Sequence, residues 1–146
     1  MTKLDECFEE GKLQPVLPSE KKAHDSLCAA RENLHEAETA AKNGIVRAAT
    51  NSVYVAIFHG ARAVLFHDGI REKSHFCLEQ YLNTFVVSGA LERKWIMFFA
   101  DMRSKRDINQ YGFEPPLTRD EVATFLDMAA RFIDEMEQLI TMKKMR

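Results

Sequence analysis

Turn-forming residues are scarce. Six glycines and four prolines among 146 residues leave too few turn formers for a chain of many short strands. Cysteine is scarce as well. Cys7, Cys28 and Cys77 are odd in number, far apart and without a C-x-x-C pair. That pattern argues against a disulfide framework or a zinc site and for a reducing compartment. Charge of one sign is also lacking. A net charge of −2 provides no general pull toward nucleic acid or an anionic membrane, so any RNA contact must be local. The longest apolar runs, Val53–Phe58 and Trp95–Ala100, are too short to span a bilayer. The segment Met1-Thr2-Lys3-Leu4-Asp5-Glu6 has no apolar stretch of the signal-peptide kind. A cytoplasmic location with no membrane contact is therefore expected. There is no internal repeat, no G-x-x-x-x-G-K-[ST], no H-E-x-x-H and no G-x-S-x-G.

What is present reads as helix. Hydrophobic residues make up 46% of the chain and charged residues 29%, ordinary for one globular domain over 1–146. Residues 1–16 form an N-terminal hook or short helix, with Leu4, Phe8 and Leu13 facing inward. Residues 17–140 form the bundle and 141–146 a basic tail. Ser19 is an N-cap for a helix to about Lys42, with Ala23, Leu27, Ala30, Leu34, Ala37 and Ala41 at helical spacing. A second helix, about Ile45 to His67, is apolar on several faces between Val53 and Leu65 and so central. Ser74 opens a shorter helix that Ser88-Gly89 ends. A fourth helix covers about Leu91 to Gln110. Thr118-Arg119-Asp120-Glu121 is a capping-box pattern. The helix after it steps through Val122, Phe125, Ala129, Phe132, Met136 and Leu139, widened by Leu126, Ile133 and Ile140. The expected fold is all-α: an antiparallel up-and-down bundle of four to five helices plus a short N-terminal helix, with no sheet.

The chemistry concentrates in Met102-Arg103-Ser104-Lys105-Arg106-Asp107-Ile108-Asn109-Gln110-Tyr111, just before Gly112-Phe113-Glu114-Pro115-Pro116. On a continuous helix Arg106 and Tyr111 stand about 140° apart. They do not share a face, whereas Arg103, Arg106 and Gln110 do. Tyr111 can approach the arginines only if the helix ends near Gln110 or a second subunit supplies its own copy. His75, in Lys73-Ser74-His75, stands at a helix start. His59 and His67 are eight residues apart, too far for one metal without other ligands, and read as core or edge histidines. Tyr54 and Phe58 have core spacing.

Together with Tyr54-Val55-Ala56-Ile57-Phe58-His59-Gly60-Ala61-Arg62-Ala63 and Gly69-Ile70-Arg71-Glu72-Lys73-Ser74-His75, this segment resembles the HEPN family of small helical proteins over about residues 17–140. The family's ribonucleases carry an arginine, a polar neighbour and, four to six residues on, a histidine. They act without a metal across a two-fold dimer. The resemblance places Arg106 at the arginine, Asp107 at the polar neighbour and Tyr111 at the histidine, the form of an arginine-x4-tyrosine subgroup. It implies Arg106 and Tyr111 as catalytic candidates, and Arg103, Arg106, Asp107 and His75 as phosphate or nucleotide ligands. It implies no metal and no cofactor. The implied partners are a second copy, RNA or a nucleotide, and a separately encoded minimal nucleotidyltransferase of the kind that pairs with toxin-like members. Phe113 stands where some members have the tyrosine that such an enzyme adenylylates, and phenylalanine has no acceptor oxygen. A tyrosine phenol has a reference pKa near 10, so only about 0.1% is ionised at pH 7. Weak or no cleavage is the expectation. The alternative class is a non-catalytic protein-interaction or nucleotide-binding module.

Overall fold

The computed structural model describes residues 1–144, with side chains described through residue 142. The end of the basic tail, Met145 and Arg146, lies outside the described residues. In chain order the elements are α1 (Lys3–Glu9), β1 (Leu13–Pro15), α2 (Glu20–Lys42), α3 (Val46–Asp68), β2 (Ile70–Glu72), α4 (His75–Val87), α5 (Arg93–Tyr111) and α6 (Arg119–Lys144). The bundle is all-α apart from the two short strands.

Side-chain caps set the helix starts. The Ser19 hydroxyl accepts from the Lys22 amide at 3.0 Å, and Ser74 accepts from the Cys77 amide at 3.2 Å. The Thr118 hydroxyl and the Glu121 carboxylate satisfy each other's backbone amides at 3.2 and 3.0 Å, the reciprocal box that opens α6. Gly69 ends α3 with φ of 83°; a Cβ there would lie 2.7 Å from the Val16 carbonyl oxygen.

The helix α3 is the axis of the fold and packs against α2, α5 and α6. It buries Val53, Ala56, Ile57, Ala61, Val64 and Leu65. Gly60 lets α6 come close, since a Cβ would stand 3.4 Å from Ile133 Cγ1. The α2 stripe is buried from Ala23 to Ala37, and Ala41 is only partly covered. On α6, Val122, Ala129, Phe132, Ile133, Met136 and Leu139 are buried, while Phe125 and Leu126 are half-buried at its edge.

Two expectations are corrected. The chain does contain a sheet: β1 and β2 pair antiparallel, Leu13 with Glu72 and Pro15 with Ile70. The hook is a seven-residue helix ending at Glu9, and Leu13 is buried in the strand that follows rather than in the helix. Three-residue strands carry too little alternation to register as a period. The second correction is covalent. Cys7 and Cys77 form a disulfide across 70 residues of sequence, and Cys28 is the free cysteine. The thiols meet because α1 folds back on α4, which cysteine spacing cannot reveal. Among the described residues no helix is long and apolar enough to cross a membrane.

Candidate functional site

The second half of α5 crosses the first half of α3, and the arginines of α5 meet an aromatic group there. The Arg106 guanidinium carbon lies 4.6 Å from the centroid of the Tyr54 ring, a stacked cation–π contact. Its Nη2 and Nε donate to Asp107 Oδ1 at 2.7 and 3.1 Å. Tyr54 is buried, its ring 5.5 Å from that of Phe99 and 5.7 Å from that of His75. Its hydroxyl bonds His75 Nδ1. Phe58 stacks on His75, ring centroids 4.3 Å apart. One turn before Arg106, Arg103 donates from Nε to the buried Glu79 at 2.6 Å. Arg62 lies against the Phe58 and Phe66 rings and donates from Nε to Glu72 at 2.8 Å.

Burial and the neighbouring cations tune these groups. Desolvation, then Arg106 and Arg103, hold His75 below its ordinary value, so it is neutral at pH 7. Burial pushes the Tyr54 phenol well up, against the opposing pull of the same two arginines. Burial also raises Glu79, partly offset by its hydrogen bond from Arg103. Among the described residues the Tyr54 hydroxyl has no partner besides His75. A tyrosine phenol can donate or accept; donating to Nδ1 leaves the imidazole hydrogen on Nε2, so that His75 offers a donor rather than a base.

Of the residues the sequence singled out, the fold brings Arg103, Arg106, Asp107 and His75 to one place. Tyr111 is not among them. It is the last residue of α5, 79% exposed and without a side-chain hydrogen bond among the described residues. Phe113 is fully exposed in the following loop. The His59 imidazole is half-buried and depressed by desolvation and Arg62. The sequence reading missed Glu79, although it follows His75 by one helical turn, the spacing that puts two side chains on one face. It also set Tyr54 aside as core; the ring is core, but its face and hydroxyl serve the arginine and the histidine.

A compact helical bundle with a cationic and aromatic cluster where α5 meets its central helix defines the class. The HEPN domain model matches residues 23–139, and the chain belongs to the HEPN domain family. It is also similar to a UPF0332 protein of Thermotoga maritima. The two are 29% identical over 112 residues, which cover 76% of this chain and 85% of that protein.

Proposed function

We propose that this HEPN domain binds RNA or nucleotide phosphates at Arg106, with Arg103 as the second cation and His75 Nε2 as a neutral donor. The observation that carries this is the Arg106 guanidinium stacked 4.6 Å from Tyr54. It is partly exposed, and among the described residues its other polar contact is its chain neighbour Asp107. A phosphate oxygen displaces that exposed carboxylate and forms charge-assisted bonds in its place. Arg103 stays on Glu79, so its role is long-range charge. The chemistry favours binding over cleavage. Metal-independent cleavage needs a base for the 2′-hydroxyl proton, whereas His75 presents a hydrogen and Tyr111 stands apart from the arginines. Weak or absent ribonuclease activity follows. The neutralising carboxylates favour a second reading, a non-catalytic interaction or nucleotide-binding module, which needs the same arginine. Pairing with a separate minimal nucleotidyltransferase, as toxin-like half, and a two-fold homodimer rest on the family resemblance. A dimeric mass in light scattering is expected.

The test is fluorescence anisotropy with a labelled single-stranded RNA in chelator. Arg106→Ala should weaken binding about tenfold, the size of one lost charged hydrogen bond, and flatten the salt slope by about one charge. The same RNA should remain intact on a gel. Unchanged affinity in Arg106→Ala refutes the phosphate site, and robust cleavage in chelator refutes the donor-only chemistry.

A further inference from the structure

Past Met102, α5 loses its apolar hold on the bundle. Its buried residues are Trp95, Phe98, Phe99 and Met102, and from Arg103 to Tyr111 no residue is buried. Beneath this stretch lies a cavity of about 310 Å3 bounded by Arg47, Thr50, Lys105, Ile108 and Asn109 together with the 114–117 loop, so packing does not hold the helix end there. Yet Arg106 must lie on Tyr54 for its guanidinium to face a ligand. Polar bonds have to supply the tie.

Arg103 is tied to Glu79 of α4, and past it the polar bonds to α3 converge on one side chain. Asn109 Nδ2 donates to Asn51 Oδ1 at 2.8 Å and to the Arg47 carbonyl oxygen at 3.0 Å. Arg47 Nη1 donates back to Asn109 Oδ1 at 3.3 Å and to its carbonyl at 3.4 Å. Arg47 Nη2 reaches the Glu114 carbonyl at 3.3 Å, tying in the loop beyond the helix. The spacing is regular. Asn109 follows Arg106 by three residues on α5, and Asn51 precedes Tyr54 by three on α3. The two helices run antiparallel, so the Asn109–Asn51 contact and the Arg106–Tyr54 contact are successive rungs, one turn apart.

We propose that Asn109 is the positioning residue of the arginine site: it clamps the last turns of α5 to α3 and so keeps Arg106 on Tyr54. Asn109 touches no ligand itself. This rests on the phosphate-binding proposal for its consequence but not for its geometry, and the two fail separately.

Asn109→Ala removes the amide donor and its acceptor oxygen at a position that is not core, so the bundle should fold with an unchanged circular dichroism spectrum. Two measurements then apply. In hydrogen exchange followed by mass spectrometry, residues 104–111 should exchange faster than in the wild type, with α2 and α6 unchanged. In RNA anisotropy, Asn109→Ala should bind about tenfold more weakly and lose about one charge of salt slope, as Arg106→Ala does. The double variant should bind no more weakly than Arg106→Ala alone, because both changes remove one contact. Asn51→Asp, which keeps the acceptor for Asn109, should behave as wild type in exchange. Unaltered exchange in Asn109→Ala overturns the clamp. Affinity losses that add in the double variant overturn its action through Arg106. A wild type that binds no RNA sinks the phosphate proposal, while the exchange comparison still decides the clamp.

Discussion

Arg106 is held by its chain neighbour Asp107 and by an aromatic face. Its guanidinium rests on Tyr54, whose hydroxyl shares a hydrogen bond with His75 Nδ1. The arginine was legible in the sequence because it stands beside a polar residue at a helix end. Its seat was not, because Tyr54 and Phe58 have the spacing of any core helix and the contact joins residues 52 positions apart. The depressed pKa values of His75 and His59 give a pH test. Both histidines favour the neutral form when folded, facing Arg106, Arg103, Asp107 and Arg62 in one case and Arg62 and Glu72 in the other. The unfolded chain, with histidine near 6.5, binds more protons below that pH. Stability is therefore full above about pH 6.5 and falls as pH drops below it. Thermal melts between pH 7.5 and 5.5 should show this decline, and His75→Gln should make it shallower. An identical pH dependence in His75→Gln would mean that His75 is not held neutral. Ligand phosphate favours the protonated imidazole, so RNA affinity should rise as pH falls through the same window.

At the scale of elements, the caps written in Ser19, Ser74 and Thr118-Arg119-Asp120-Glu121 set where α2, α4 and α6 begin. Local hydrogen bonds between near neighbours are what a sequence shows best. The β1–β2 pair and the Cys7–Cys77 bridge were illegible for the opposite reason. Each depends on residues more than fifty positions apart meeting on the α4 side of the bundle. The bridge joins α1 to the helix that carries His75 and Glu79. Closing a loop of this length should stabilise the fold by about 4 kcal/mol through the unfolded chain. Titration of the unreduced, denatured protein should find one free thiol, Cys28. Cys7→Ser should lower stability in denaturant by roughly 2–5 kcal/mol. Three free thiols in the unreduced protein would show that the bridge does not form.

For the molecule as a whole, a net charge of −2 leaves only a local cluster of cations as a candidate site. The chain folds α5 over α3 so that two arginines, an aromatic ring and a neutral imidazole share a small surface, while Tyr111 projects from the helix end. The helical class was plain from period and capping, and the positions of the arginines followed from the motif. The convergence of α3, α4 and α5 at the site did not, since no single helix carries more than part of it. The most direct measurement is a nitrogen–proton NMR titration of the intact protein with a short single-stranded RNA. Amide shifts should cluster at Tyr54, His75, Arg103 and Arg106, and vanish in Arg106→Ala. Shifts centred on another face, or retained in full by that variant, would place the ligand elsewhere and contradict the arginine site.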